Sequence, residues 1–269
     1  MIRTVDVPAL VEQARAGTPR AIGRLISLVD DQHPALRESM AALAPHTGGA
    51  HVIGLTGAPG VGKSTTTNAL IRSLREAGKS VAVLAVDPSS PFSGGALLGD
   101  RIRMTEATTD PGVYIRSLAS RGQLGGLSVS TPQAIRVLDA SGFDVILVET
   151  VGVGQSEVAV AGSADTTLVL LAPGMGDGIQ AAKAGILEIG DVFVVNKADR
   201  EGADSTVRDL RHMLQMGEGT APRAWRRTVV RASAMNGTGI EDIVEAIGGH
   251  LSCCLLYTSP KPTRRRGIS

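Results

Sequence analysis

The stretch that most constrains this chain is GLTGAPGVGKSTTTNAL, at residues 54–70. Within it, Gly57 to Ser64 matches the pattern G-x-x-x-x-G-K-[ST] in full, between an apolar strand pattern and a helical one. Glycines permit the backbone angles that turn successive N–H groups toward phosphate oxygens, and the following helix adds its positive amino end. The motif therefore predicts a phosphate-binding loop. The alternative, a glycine-rich turn that binds nothing, is disfavoured because pattern and context both match.

The type of each loop residue suggests its task. Lys63 is predicted to reach the β- and γ-phosphates, and the Ser64 hydroxyl to ligate Mg²⁺. The predicted nucleotide-binding residues of this segment are Gly57, Ala58, Pro59, Gly60, Val61, Gly62, Lys63, Ser64 and Thr65.

A magnesium site also needs carboxylates facing the loop. Asp87 and Glu149 each stand at the end of an apolar strand pattern, and Asp100 lies in GGALLGDRIRM. We assign Ser64, Asp87, Asp100 and Glu149 to the metal, and Lys63, Asp100 and Glu149 to catalysis. For Asp100 in particular, a helix cap is the competing interpretation, because Asp is a favoured capping residue.

Short Val-, Ile- and Leu-rich runs alternate with helical patterns after residue 50. Strands buried on both faces have this composition, and strand-helix alternation predicts an α/β fold. We expect a phosphate-loop (P-loop) nucleoside triphosphatase (NTPase) fold with a mainly parallel central sheet flanked by helices. Apolar positions at helical spacing in residues 6–45 predict a short helical extension before the first strand.

The tetrapeptide NKAD, Asn196 to Asp199, follows another apolar run. A carboxylate at Asp199 can accept hydrogen bonds from N1–H and the exocyclic amine of guanine, whereas adenine would leave it unpaired. Lys197 can pack over the ring, Asn196 can tie the loop together, and the N–H of Ala234 can meet guanine O6. The nucleotide predicted from this pattern is GTP, bound by Asn196, Lys197, Asp199, Ser233, Ala234 and Met235.

Composition excludes little but sets expectations about partners. The chain has 27 basic and 26 acidic residues, for a formal charge of +1, and only 2% aromatic residues. This balance gives no reason to expect nucleic acid as a partner. No apolar run approaches the roughly 20 residues that cross a bilayer, and the amino terminus does not resemble a secretory signal. We therefore expect no membrane partner and a cytoplasmic location.

Taken together, these residues resemble the MeaB/ArgK/MMAA family of GTPases. The resemblance covers roughly residues 5–250 and rests on GAPGVGKST, VDPSSPFSGGALLGDRIRM, SLASRGQLGGLS, VETVGVGQSE, GMGDGIQAAKAGILEIGD and VNKAD. It implies a Mg²⁺-dependent GTP-hydrolysing chaperone of an adenosylcobalamin-dependent acyl-CoA mutase, typically methylmalonyl-CoA mutase, in which GTP state is coupled to cofactor loading and mutase protection.

The resemblance also implies mobile segments that respond to the γ-phosphate. The first would match about residues 87–103, the second about 149–156, and a third, specific to the family, about 174–183. The switch residues assigned in this way are Gly152, Gln155, Gly176, Asp177 and Lys183. Gln155 is a candidate for orienting the attacking water, and Arg101, Arg103 and Arg121 are candidates for stabilising charge, with surface arginine as the alternative.

We divide the chain into a helical segment at 1–48, a P-loop GTPase domain at 49–252 and a tail at 253–269. The family normally continues into long helices that form a dimerisation arm, whereas this chain ends in CCLLYTSPKPTRRRGIS. We expect the tail to be disordered or non-native, from a truncated or artefactual gene end. A homodimer is left open.

Three other functions compete with this interpretation. A nickel-insertion GTPase would need a Cys/His cluster near the phosphate loop, whereas the five histidines are scattered and the two cysteines lie in the tail. A nucleotide-gated regulator of basic amino-acid transport would use ATP, against the guanine-type NKAD. A nucleotide-binding chain without hydrolysis is distinguished by measuring turnover.

Overall fold

The computed structural model describes residues 5–87, 109–119, 130–150, 161–174, 187–217 and 225–258. Within these ranges one seven-stranded sheet runs in the order β3-β2-β4-β1-β5-β6-β7, and every neighbouring pair is parallel. The strands are β1 His51–Thr56, β2 Val81–Asp87, β3 Val113–Ala119, β4 Val145–Thr150, β5 Thr166–Leu171, β6 Val192–Val195 and β7 Thr228–Arg231. The α/β prediction is confirmed, and each strand lies in a run predicted from its apolar residues.

Helices cover both faces of the sheet. They are α1 Val7–Arg15, α2 Pro19–Asp30, α3 Leu36–Leu43, α4 Lys63–Glu76, α5 Thr131–Ala140, α6 Ala203–Gly217 and α7 Ile240–Thr258, with short helical turns at Ala44–His46 and Leu187–Ile189. Helices α1 to α3 and α5 share one apolar cluster with β2 and β4, whereas α4 and α7 pack on the opposite face. The amino-terminal helices thus contribute to the core of the sheet.

Side-chain alternation decides which face each strand residue meets. On β4, Ile146 and Val148 belong to the cluster shared with the amino-terminal helices, and Leu147 belongs to the cluster that includes α4. The next residue of that second series is Glu149. Its side chain is 5% exposed and therefore lies buried beside α4, although it is an acid in an otherwise apolar strand.

An aspartate stands immediately before each of three strands, at the amino edge of the sheet. Asp144, Asp165 and Asp191 precede β4, β5 and β6. The backbone N–H of each aspartate donates to the carbonyl of one residue in the adjacent strand or just before it. The N–H of that partner residue donates in return to a carboxylate oxygen of the aspartate at 2.8 Å. The three residues that complete these reciprocal pairs are Ser80, Val52 and Thr167. Backbone groups at the start of the sheet are satisfied in this way.

Helix α7 is fastened to the same edge through His250, which is 5% exposed. The Thr166 hydroxyl lies 2.8 Å from His250 Nδ1 and 2.8 Å from His51 Nε2, so it bridges two imidazoles. His250 Nε2 lies 3.4 Å from Asp191 Oδ1. The Trp225 and His250 rings pack edge to face, with 5.1 Å between the ring centroids and 70° between the ring planes.

The end of α7 differs from expectation. The helix continues through Thr258, six residues into the segment 253–269 that we expected to be disordered or non-native. Helical spacing of apolar residues explains the continuation, because Ile243, Ile247 and Leu251 are followed by Cys254 and Leu255 at the same period. Residues 259–269 lie outside the described residues.

Candidate functional site

The phosphate-loop motif lies between β1 and α4, at the carboxyl edge of the sheet. Gly57, Gly60 and Gly62 all have positive φ, at 142°, 80° and 97°. A side chain at Gly57 would overlap the carbonyl of Leu170, and one at Gly62 would overlap the amide of Asn196. The motif glycines are therefore required by conformation and by close approach at these positions. Helix α4 begins directly after Gly62, so its amino end faces the loop.

Lys63 folds back over the loop that precedes it. Its ammonium group donates to the carbonyls of Gly57 at 2.7 Å and Ala58 at 3.2 Å, and the residue is only 8% exposed. The Lys63 charge is thus held over the turn of the loop, where the motif predicts that phosphate oxygens bind.

Glu149 reaches α4 from the end of β4. Because β4 is the parallel neighbour of β1, with Glu149 opposite Leu55, its side chain lies next to the helix that follows the loop. Its Oε1 accepts a hydrogen bond from the Ser64 hydroxyl at 2.6 Å, and its Oε2 accepts one from the Thr67 hydroxyl at 2.9 Å. The structure thus brings together two of the residues assigned to the metal, and it adds Thr67, which sequence reasoning missed.

Of the other residues assigned to metal and switch functions, only Asp87 falls within the described residues. Asp87 is the last residue of β2, so its backbone lies at the same edge as Glu149, but its side chain is outside what the structure describes. Outside the described residues lie Asp100, Gly152, Gln155, Gly176, Asp177 and Lys183, as do Arg101, Arg103 and Arg121.

Asn196 connects three loops. Its Nδ2 donates to the carbonyl of Val61 in the phosphate loop at 2.8 Å, and its Oδ1 accepts the N–H of Ala234 at 3.0 Å. The expectation that Asn196 ties the loop together agrees with this geometry. The Ala234 N–H, which we expected to meet guanine O6, donates to Asn196 here, so a contact with O6 would share or replace that bond.

Lys197 and Asp199 complete the NKAD segment. Lys197 adopts a positive φ of 56°, and its ammonium group donates to the carbonyl of Gly60 at 2.6 Å. Its side chain thereby crosses from the base-recognition segment to the phosphate loop. Asp199 Oδ1 accepts a hydrogen bond from the Ser233 hydroxyl at 2.6 Å. That bond is the main cause that lowers the pKa of Asp199, so the exposed side chain is a carboxylate at neutral pH.

A cleft of about 930 Å³ adjoins these segments. Thr65, Ala234 and Met235, all assigned to nucleotide binding, line it together with Asn68 and Arg72 of α4. Met235 is 83% exposed at its rim. The described residues contain no cluster of three or more His, Cys, Asp or Glu side chains arranged to hold a metal ion. Nor does any helix among them have the length and apolar character to cross a membrane.

Comparisons with known proteins agree with the fold and show the family of the chain. The family described as "Methylmalonyl Co-A mutase-associated GTPase MeaB" matches residues 22–266. A relative from Pyrococcus abyssi, named as a GTPase, is 49% identical over 97% of this chain and 81% of its own length. The Escherichia coli "GTPase ArgK" is 36% identical over 92% of this chain and 76% of its own length.

A mouse relative and a solved structure are also similar to this chain. The Mus musculus "Methylmalonic aciduria type A homolog, mitochondrial" is 43% identical over 71% of this chain and 46% of its own length. The crystal structure of a "LAO/AO transport system kinase" superposes with a TM-score of 0.74 at 29% identity, covering 96% of this chain and 79% of that one. With the family matched over most of its length, the chain belongs to the MeaB family of GTPases.

Proposed function

We propose that this GTPase binds GTP with Mg²⁺ and couples its nucleotide state to cofactor loading and protection of an adenosylcobalamin-dependent acyl-CoA mutase in the cytoplasm. The observation that carries the nucleotide part is the Asn196 bridge. By bonding both Val61 and Ala234, Asn196 fixes the guanine-type segment against the phosphate loop. One ligand with a guanine at one end and phosphates at the other suits this arrangement.

The base preference rests on Asp199. Its carboxylate is ionised, and the Ser233 hydroxyl occupies one of its two oxygens. The charged acceptor suits the N1–H and exocyclic amine of guanine, whereas adenine presents an acceptor in the place of N1–H. Discrimination of this kind reaches several orders of magnitude where a site is built around the missing donor.

The donor set fits Mg²⁺. Ser64 offers a hydroxyl oxygen and Glu149 a carboxylate, and both oxygens meet beside the loop at 2.6 Å. Oxygen ligands of this type are those that Mg²⁺ takes in the sites of nucleoside triphosphatases, together with phosphate and water. Ser64 and Glu149 would hold the ion, with Asp87 and Asp100 as further proposed ligands. The bound ion would neutralise charge on the phosphates.

The chain's own groups account for the rest of the proposed chemistry. Lys63 would exchange its bonds to the Gly57 and Ala58 carbonyls for β- and γ-phosphate oxygens. The loop N–H groups and the amino end of α4 would stabilise negative charge on the γ-phosphate as water attacks it. Gly152, Gln155, Gly176, Asp177 and Lys183 are proposed to change position with the state of that phosphate.

The mutase partnership is supported by family membership. The family's description and the name of the mouse relative both refer to methylmalonate metabolism. The competing transport role is favoured by one observation, the similarity to the protein titled a transport system kinase. For the nickel-insertion alternative, the crystal structure of HypB from Helicobacter pylori in complex with nickel superposes with a TM-score of 0.56 but is only 16% identical, so it supports the fold alone.

The test is turnover of GTP and ATP by the purified chain, alone and with an adenosylcobalamin-dependent mutase from the same source. We expect hydrolysis of GTP only, with a rate that changes when the mutase is added. Hydrolysis of GTP that is indifferent to the mutase would remove the proposed partner and leave the GTPase. Equal turnover of ATP would contradict the assignment of Asp199.

A further inference from the structure

The carboxylate of Glu149 is at the end of a flexible side chain, although a metal ligand needs a fixed position. Glu149 has one more rotatable bond than an aspartate would have at the same strand end, so its carboxylate can occupy more positions. A carboxylate that serves a metal site must nevertheless be held in place, and partners outside the metal's own ligands commonly do this. Oε1 of Glu149 is bonded to Ser64, a proposed metal ligand, so the partner of Oε2 is the group that can position the carboxylate from outside the metal site.

Two hydroxyls on one face of α4 share that carboxylate. Ser64 and Thr67 are three residues apart, so they are neighbours on the helix surface. The Ser64 hydroxyl donates to Oε1 at 2.6 Å, and the Thr67 hydroxyl donates to Oε2 at 2.9 Å. Each oxygen of the carboxylate therefore has its own hydroxyl, and the plane of the carboxylate is fixed by both.

The hydrogen of Thr67 has two candidate acceptors. Thr67 Oγ1 lies 3.1 Å from the carbonyl of Lys63 and 2.9 Å from Glu149 Oε2. A hydroxyl has one hydrogen to donate, and a carboxylate is the stronger acceptor. Thr67 is fully buried, so water does not compete for this bond. Thr67 thus donates to Glu149.

We infer that Thr67 is a positioning residue for the magnesium site, acting through Glu149 to set the affinity for Mg²⁺. This inference rests on the proposed Mg²⁺-dependent function. Ser64 and Glu149 are the residues proposed to touch the ion, whereas Thr67 acts through its contact with the Glu149 carboxylate.

The adjacent residue provides a matched control. Thr66 is also fully buried on α4, and its hydroxyl donates to the carbonyl of Gly62 at 2.9 Å, as Thr67 can to that of Lys63. Glu149 accepts from Thr67 and Ser64, whereas the bond of Thr66 runs to the backbone. Thr66→Val and Thr67→Val therefore each remove one buried threonine hydroxyl from α4. Only Thr67→Val also removes a contact with Glu149.

The experiment is a Mg²⁺ titration of fluorescent GDP binding, followed at equilibrium, with no turnover required. For Thr67→Val we expect the Mg²⁺ concentration at half-saturation to rise by about 10- to 100-fold. Thr67→Ser restores a hydroxyl and is expected to stay within threefold of the parent chain, as is Thr66→Val. GDP affinity in the presence of a chelator should be the same for all four proteins, because Thr66 and Thr67 are buried and neither is among the residues assigned to nucleotide binding.

The outcomes separate this inference from the function on which it rests. Equal half-saturation for Thr67→Val and Thr66→Val, in chains that bind GDP, would overturn the positioning role and leave the GTPase intact. A parent chain whose GDP binding ignores Mg²⁺ would overturn the proposed magnesium site itself. Should Thr67→Val fail to melt cooperatively, Thr67→Ala provides the same test without the β-branched side chain.

Discussion

Backbone groups at the two edges of the sheet form hydrogen bonds with charged side chains, which are lysines at one edge and aspartates at the other. At the carboxyl edge, Lys63 and Lys197 donate to carbonyls of the phosphate loop. At the amino edge, Asp144, Asp165 and Asp191 accept N–H groups of the neighbouring strands. The ammonium groups thus bond loop carbonyls at the carboxyl edge, and the carboxylates bond N–H groups at the amino edge.

The difference is in what these bonds are for. The aspartates satisfy strand N–H groups within the folded chain, and each makes a reciprocal pair that also involves its own backbone. Under the proposed function, the carbonyl partners of Lys63 are exchanged for phosphate oxygens. The amino edge is therefore expected to determine stability, and the carboxyl edge to determine activity.

We expect the two edges of the sheet to differ most in their effect on the rate of GTP hydrolysis. Lys63→Ala should lower the rate of GTP hydrolysis by about 10²- to 10³-fold, because one preorganised charge is removed from the phosphates. The matched control is Lys79→Ala at the amino edge, where the lysine is half-exposed and lies 3.8 Å from Asp144. Its turnover should stay within about twofold of the parent chain. A comparable loss in both variants would end the division between the edges.

The next effect concerns the base. Asp199→Asn should weaken GTP binding by about 10²-fold or more, because a charged acceptor for two guanine donors becomes an amide. Binding of xanthosine triphosphate should improve, since its exocyclic oxygen accepts a hydrogen bond from the new amide. Competition titrations with both nucleotides measure the change, and thermal stability should be unaltered. Unchanged GTP affinity would contradict base recognition by Asp199.

The amino edge should show the reverse pattern, with stability lost and nucleotide affinity kept. Asp191→Ala leaves the buried N–H of Thr167 without its carboxylate and should lower the free energy of unfolding by about 1–3 kcal/mol. The control is Asp204→Ala, which breaks an ion pair to Arg231 between side chains 72% and 49% exposed. Exposed pairs contribute at most about 1 kcal/mol. Chemical denaturation compares the two variants, and equal losses would count against a special role for the strand-edge aspartates.

The smallest effect is on the pH dependence of stability. Burial lowers the pKa of His51 below its usual value of 6.5; nearby His250 acts in the same direction and Asp165 opposes it. The unfolded chain therefore binds a proton at this residue at a higher pH than the folded chain does. The free energy of unfolding should fall as pH decreases below about 6.5, and His51→Gln should make that decrease shallower. Identical pH profiles for both chains would contradict the shift.

Sequence patterns predicted the strands and most helices because burial on both faces leaves continuous apolar runs, as in VILVET and TTLVLL. They also predicted the loop and its partner segment. The contact between Glu149 and Thr67 was missed because it spans 82 residues and depends on which face of β4 the acid occupies. The aspartates before β4, β5 and β6 were missed although their signal is local, a single Asp preceding each apolar run.

The two bonds of Asn196 have a consequence for how this site can be altered. Because Asn196 joins Val61 and Ala234 through a single amide, the loops for the base and the phosphates share one support. A graft that exchanges only the NKAD segment for that of another nucleoside triphosphatase would also change the support of the phosphate loop. Redesign of nucleotide choice in this scaffold should therefore keep Asn196 and vary Asp199, since the two residues of one short motif serve separable purposes.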